Sequence, residues 1–241
     1  MTPQSLRGCF VTGTDTGVGK TVVAAAIVAR LRQLGADVVP LKPLITGLDE
    51  PSDPGWPRDH ELLASMAGRQ PSDVILVGYG PPVSPHLAAE LAGEPAASAA
   101  SLSSGVRAAV QRAGAHAVAV VEGVGGLLVP LGPESDVRAL AVELGLPLVV
   151  VARPGLGTIN HTLLTLEAAR SAHLAVAGVV LTPWPARPSV IERSNLETIA
   201  RLGAVEVATL GLVARAEAEL LAAAATALPL ERWLDLGWTA E

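Results

Sequence analysis

Between the apolar run Cys9-Phe10-Val11 and the Ala-rich helical stretch Lys20–Leu34 stands Gly13-Thr14-Asp15-Thr16-Gly17-Val18-Gly19-Lys20-Thr21. A glycine-rich turn that leaves a strand and opens a helix can aim successive backbone N–H groups at phosphate oxygens, while the helix N-terminus adds its partial positive charge. Lys20 is then placed to reach the β- and γ-phosphates of a nucleotide, and the Thr21 hydroxyl to ligate Mg²⁺. The usual spacing G-x-x-x-x-G-K-[ST] is missed by one residue, because Thr14 stands where the first glycine belongs and Gly13 comes one position early. A plain strand-to-helix turn would account for the glycines but not for the lysine and hydroxyl that follow them.

Short β-branched runs alternate with Ala/Leu-rich stretches along the whole chain, which is the pattern of a parallel sheet covered by helices on both faces. Strands are predicted at Cys9–Thr12, Asp37–Leu41, Ala117–Val121, Leu146–Ala152, Val176–Leu181 and Val205–Leu210. Two of these, Ala117–Val121 and Leu148–Val151, are apolar at successive positions, as central strands buried on both faces are. Helices are predicted at Lys20–Leu34, Asp59–Ala67, Leu102–Ala113, Asp136–Leu144, Asn160–Ser171 and Val190–Leu202, with a weaker one at Glu217–Ala225. Gly and Pro cluster at Leu48–Pro57, Gly78–Pro85 and Thr182–Pro188, read as loops at the sheet edge. The expected fold is α/β, a three-layer α/β/α arrangement with a mostly parallel central sheet of the P-loop NTPase type, in a single domain spanning residues 1–241.

Charge narrows the partners. The chain holds 23 acidic and 17 basic residues, a net −6 with no block of clustered Lys or Arg, which argues against nucleic acid. Cys9 is the only cysteine, so an internal disulfide and a Cys-based zinc cage are excluded, and a reducing compartment fits. No apolar stretch approaches the ~20 residues that a membrane span needs, and the N-terminal MTPQSLRG is short and polar. A soluble, untargeted, cytoplasmic protein is expected. Covalent catalysis is not, since the one cysteine lies in a strand and no G-x-S-x-G elbow is present.

The basic residues divide unequally, fifteen arginines against two lysines, Lys20 and Lys42. Arg replaces Lys easily on a solvated surface but poorly where a compact charge must sit against phosphate. Lys42 follows the strand Asp37–Leu41, and carboxyl ends of strands are where doubly wound sheets bind ligands. Glu122 directly follows the strand Ala117–Val121 and precedes Gly123-Val124-Gly125-Gly126, backbone that can approach phosphate closely. Asp59 opens a helical stretch after a Pro/Gly-rich loop, where it could serve as helix N-cap or as metal ligand. With the Thr21 hydroxyl, Asp59 and Glu122 would offer three oxygens to octahedral Mg²⁺ and leave room for phosphate and water.

Five segments occur in order: GTDTGVGKT, LKPLITG, SPHLAAE, EGVGGLLVPL and GLGTINHTLLTLEA. Jointly they resemble the dethiobiotin synthetase family from about Leu6 to Leu202. The resemblance implies a homodimeric, Mg-ATP-dependent ligase of biotin biosynthesis that converts 7,8-diaminopelargonate and CO₂ through a carbamate and a carbamic-phosphoric anhydride to a cyclic urea. It implies that Lys20 and Lys42 are catalytic, that Thr16, Lys42 and Thr46 contact substrate or phosphate, and that Thr21, Asp59 and Glu122 hold the metal. The nucleotide is expected at Thr16, Gly17, Val18, Gly19, Lys20, Thr21 and Val22, at Asp59, Glu122, Gly123, Val124 and Gly125, and at Thr182 and Pro183. Gly157, Thr158, Ile159 and Asn160 are expected to reach the substrate carboxylate of the neighbouring subunit. His86 and His161 belong to the shared motifs in structural roles, and His116 and His173 read as surface or helix-end residues. Where many relatives carry an adenine-reading Asn, this chain has Thr182-Pro183, so weak base selection is expected, with other nucleoside triphosphates accepted. Two other classes share the architecture. A cobyrinate-type synthetase is usually longer by an amidotransferase domain, and a partition-type ATPase switch usually carries a lysine early in a KGGxGKT loop where Gly13-Thr14 stands here.

Overall fold

The computed structural model describes residues 5–51 and 55–234. In chain order the elements are β1 (Gly8–Gly13), α1 (Lys20–Gln33), β2 (Val38–Leu41), β3 (Leu44–Ile45), α2 (Asp59–Ala67), β4 (Val77–Gly78), α3 (Pro85–Ala92), α4 (Ala99–Ala113) and β5 (Val118–Gly126). They continue with β6 (Pro130–Gly132), β7 (Ser135–Asp136), α5 (Val137–Leu144), β8 (Leu148–Ala152), α6 (Thr158–Ser171), β9 (Val176–Trp184), α7 (Val190–Gly203), β10 (Val207–Gly211), α8 (Ala218–Ala224) and α9 (Leu230–Leu234). Six strands form one sheet in the order β10-β9-β8-β1-β5-β2, and every pairing in it is parallel.

Alternation along β1 shows how the layers arise. Cys9 and Val11 point into one core with α1, α2, α8 and α9, and Phe10 points into a second core with residues of α3 to α7. Strands buried on both faces favour apolar side chains at successive positions, hence the runs Cys9–Val11, Val118–Val121 and Leu148–Ala152, with Thr12 and Glu122 the polar residues buried in β1 and β5. Cys9 is fully buried in the first core as a free thiol. Helix α1 is apolar nearly all round, with Val23 through Val28 at 0% exposure. Such a helix is stable only when covered on every side, and here the sheet, α2 and α8 cover it.

All six predicted strands and all seven predicted helices are present, with differences that have local causes. The segment Gly78–Pro85, read as loop, ends in α3, which starts with Pro85 at its first position after Ser84 and stops at the left-handed Gly93. The segment Thr182–Pro188, also read as loop, begins inside β9, because the pairing of β9 with β10 continues to Trp184 opposite Gly211. Helix α4 starts at Ala99 because Ser98 caps it, its hydroxyl accepting from Ser101 N. Helix α5 starts at Val137 because Asp136 is its cap, accepting from Ala139 N at 2.7 Å. Helix α9 was not expected. Its Trp233 lies on β9 at Gly178, where a Cβ would come within 2.2 Å of the indole, and Trp233 Nε1 donates to Glu206 Oε2 at 3.0 Å. Residues 52–54 of the expected loop Leu48–Pro57 and residues 1–4 of the polar N-terminus lie outside the described residues. Among the described residues no helix is long and apolar enough to cross a membrane.

Candidate active site

The carboxyl ends of β1, β2 and β5 meet over the N-terminus of α1 because these strands are neighbours in a parallel sheet. A cleft of about 730 Å³ opens there, lined by Thr16, Gly17, Gly19, Lys20, Thr21 and Val22 of the loop and α1 and by Lys42, Thr46, Asp59, Glu122, Val124 and Gly125. The glycine-rich loop turns through Gly17 at φ 70° and Gly19 at φ 95°, left-handed conformations that side-chain-bearing residues rarely hold. Thr14 N donates to Val151 O at 3.0 Å, and Lys20 Nζ folds back on Asp15 O at 2.9 Å. Burial lowers the Lys20 pKa, against the opposing pull of Glu122.

Lys42, Asp59, Glu122 and Thr21 form one hydrogen-bonded cluster. Lys42 Nζ donates to Glu122 Oε1 at 2.7 Å and to Asp59 Oδ2, and Thr21 Oγ1 donates to the same Glu122 oxygen at 2.9 Å. Lys42 is 5% and Glu122 1% exposed. Burial alone would lower the Lys42 pKa, but Glu122 and Asp59 outweigh it and hold the ammonium at about 12. Asp59 is lowered, since the Lys42 charge and hydrogen bond overcome its burial. Glu122 is raised, chiefly by burial, with Asp59 adding to the shift and Lys42 opposing it. Asp59 is the first residue of α2, and the N-cap position is Arg58, whose N–H is accepted by Glu61 Oε2 at 3.0 Å. Its carboxylate is therefore free of capping duty and turns to the cluster.

The cluster fits Mg²⁺ by its chemistry. It presents a hydroxyl and two carboxylates, hard oxygen donors that suit Mg²⁺ and not a soft metal. Glu122 Oε2 is buried with no hydrogen-bond partner, an acceptor left over for a further cation. Among the described residues no group of three His, Cys, Asp or Glu side chains is arranged to hold a metal, so nucleotide oxygens would have to complete the shell.

Not every expected residue reaches the cleft. Val18 is 2% exposed and packs in the first core, and at Gly123 a Cβ would meet the Phe10 ring at 3.0 Å, so neither lines it. Thr182 is 3% exposed with its methyl 3.0 Å from a Cβ built on Gly19, which puts it behind the loop, and Pro183 beside it is exposed. Gly157, Thr158, Ile159 and Asn160 lie at the start of α6, outside the cleft of their own chain. Ile45, Glu50, Trp56 and the run Pro82-Val83-Ser84-Pro85 line it without having been singled out. Arg153 was also missed. It follows β8 directly, as Lys42 follows β2, and its Nη2 donates to Thr16 O at 3.1 Å. Strand-end position was the signal available for it. Glu122, expected just past its strand, lies inside β5 because pairing with β1 continues to Gly126.

Comparison with known proteins places this geometry. A family model described as "AAA domain" matches residues 7–216. The chain is 44% identical over 211 residues to the ATP-dependent dethiobiotin synthetase BioD of Anaeromyxobacter sp. (strain Fw109-5), covering 83% of this chain and 91% of the relative. It is 47% identical over 199 residues to the protein of that name from Anaeromyxobacter dehalogenans (strain 2CP-1 / ATCC BAA-258), covering 82% and 86%. Among solved structures, chloroplast FtsY from Physcomitrella patens superposes with a TM-score of 0.52 at 17% identity, over 92% of this chain and 65% of that chain's length, a likeness of fold alone. With the loop, the strand-end lysine and the carboxylates in place and such identity over four-fifths of its length, the chain belongs to the ATP-dependent dethiobiotin synthetase family.

Proposed function

We propose that this protein is an ATP-dependent dethiobiotin synthetase, a ligase that closes the cyclic urea of dethiobiotin from 7,8-diaminopelargonate, CO₂ and ATP. The observation that carries the reading is the 44–47% identity to proteins of that name over most of both chains. One amine of the substrate adds to CO₂ and loses a proton to give a carbamate. A carbamate oxygen takes the γ-phosphoryl group of ATP, releasing ADP and leaving a mixed anhydride. The second amine attacks the anhydride carbonyl, phosphate departs, and the ring closes.

Such chemistry asks the protein for positioning and charge neutralisation more than for covalent help. In this reading Lys20 and the amides from Thr16 to Val22 hold the triphosphate, with Val124 and Gly125 lining the same cleft. Lys42 neutralises the carbamate and the transferring phosphoryl group, and Thr16 and Thr46 orient the substrate. Thr21, Asp59 and Glu122 hold Mg²⁺, which when bound offsets the charge of the β- and γ-phosphates. Thr182, packed behind Gly19, and Pro183 offer the base no paired hydrogen bonds, so the base is weakly selected. The enzyme works in the cytoplasm as a homodimer of single-domain subunits, each site completed by Gly157, Thr158, Ile159 and Asn160 of its neighbour. Incubation with Mg-ATP, bicarbonate and 7,8-diaminopelargonate should yield a cyclic urea detectable by mass spectrometry. ATP hydrolysis without that product would favour a nucleotide-driven switch instead.

A further inference from the structure

The cluster that would receive the metal already contains a cation. Lys42 Nζ donates to Asp59 Oδ2 and to Glu122 Oε1, and the second of these oxygens also accepts from Thr21. The oxygens assigned to Mg²⁺ are thus engaged by an ammonium that is itself almost wholly buried. Glu122 is held away from water and needs a positive partner, because an uncompensated buried charge is costly, and the half-exposed Asp59 shares that partner. A divalent ion on the same oxygens would lie against Lys42, where repulsion in a weakly polarisable interior is strong. Ammonium and metal are therefore alternatives unless Lys42 acquires another anion.

A nucleoside triphosphate supplies that anion. The glycine-rich loop lines the same cleft as Lys42, and a lysine's flexible stem lets the charge change partners by rotation alone. We propose that Lys42 is a resident counter-ion that closes the metal site while the nucleotide is absent, and that it is transferred to the phosphates when the triphosphate enters, opening Asp59 and Glu122 to Mg²⁺. Metal then binds with the nucleotide and not before it. The inference rests on the assignment of Thr21, Asp59 and Glu122 as metal ligands, and adds the order in which the site fills. The partnerless Glu122 Oε2 agrees with it, since the ammonium satisfies only one oxygen of that carboxylate.

Mn²⁺, read by the electron paramagnetic resonance of the free ion, tests the proposal without turnover. In the absence of nucleotide, Lys42→Ala should bind Mn²⁺ at least about tenfold more tightly than the unaltered protein, within the usual range of coupling between two ligands. Adding Asp59→Asn should abolish the gain, and propylammonium, which replaces the deleted atoms, should compete with Mn²⁺ in Lys42→Ala. A measurement on the unaltered protein covers the case in which the variant does not fold. Because the chain has two lysines, ¹⁵N-lysine labelling gives two Nζ resonances, and Lys42's should move with Mg²⁺ plus a non-hydrolysable ATP analogue but not with Mg²⁺ alone. Equal Mn²⁺ affinity in the two proteins, or a Lys42 resonance that responds to Mg²⁺ alone, overturns the transfer. The ligand assignment is judged separately, by whether Asp59→Asn weakens binding of Mn²⁺ together with nucleotide. Weakening there with no gain in Lys42→Ala keeps the ligands and removes only the transfer.

Discussion

Lys42 carries more consequence than any other single side chain here. Lys42→Ala should lower turnover by at least about a hundredfold, as when one electrostatic stabiliser of a transition state is lost. Lys42→Arg should also be impaired, because a planar fork does not fit a pocket shaped around a point charge. Steady-state kinetics on folded variants checks both, and near-normal turnover in Lys42→Ala would remove the role. Lys42 and Glu122 are legible in the sequence because each directly follows an apolar run and because lysine is so scarce. Their contact is not legible. It joins residues 80 apart in sequence and depends on β2 lying beside β5, and hydrophobic periodicity does not encode strand order. Cys9 gives a second test. Burial raises its pKa to about 12, so the folded state retains a proton that the unfolded thiol gives up from about pH 8.5 or 9. This contribution to stability is complete below that range and is lost as pH climbs toward 12. Between pH 7 and pH 10 it should amount to about 1–2 kcal/mol. Urea unfolding of the unaltered protein and of Cys9→Ala at both pH values should show the smaller alkaline loss in the variant, and equal losses would contradict the burial.

Elements repeat the lesson on a larger scale. Strands β1, β5 and β8 are legible because burial on both faces gives runs of successive apolar residues, Cys9–Val11, Val118–Val121 and Leu148–Ala152. Helix α3 carried its signals in Pro85 at the start and Gly93 just past the end, the usual asymmetry of helix ends, but its neighbourhood is so rich in Gly and Pro that it reads as loop. Of helix α9 five residues, Leu230–Leu234, are described, too few for a period to show, and what holds them is tertiary: an indole over a strand glycine. Trp233→Ala should therefore cost about 3–5 kcal/mol, the range for deleting a buried aromatic side chain. Gly178→Ala should cost about 1–3 kcal/mol by overpacking, since the new Cβ would collide with the indole. Denaturant midpoints measure both, and an unchanged midpoint in Gly178→Ala would show that α9 can shift aside freely.

At the scale of the molecule, the chain's own cleft lacks the start of α6, where Asn160 is exposed. If a neighbour supplies that segment, mixing inactive Lys42→Ala with inactive Asn160→Ala subunits should restore part of the activity, because each hybrid dimer has one intact site. No recovery despite demonstrated subunit exchange would argue for self-contained sites. Base selection is also a property of the whole cleft. If Thr182-Pro183 stands where an Asn amide would both donate to and accept from the base, the loss of two hydrogen bonds at ~0.5–1.5 kcal/mol each would remove roughly one to two powers of ten in discrimination. CTP and GTP should therefore support dethiobiotin formation with kcat/KM within about tenfold of ATP, and an ATP preference beyond about a thousandfold would reveal another base-reading group. The encasement of α1 has a last consequence, for isotope exchange. Amides of a helix with Val23 through Val28 sealed from solvent should trade hydrogen for deuterium only through opening of the whole fold. The preceding glycines, at the solvent's edge, should label within seconds until phosphate covers them. Deuterium uptake should then divide sharply at Val23, the first amide of the helix to donate within it, to Gly19 O, with a slow register after it and a nucleotide-sensitive one before it.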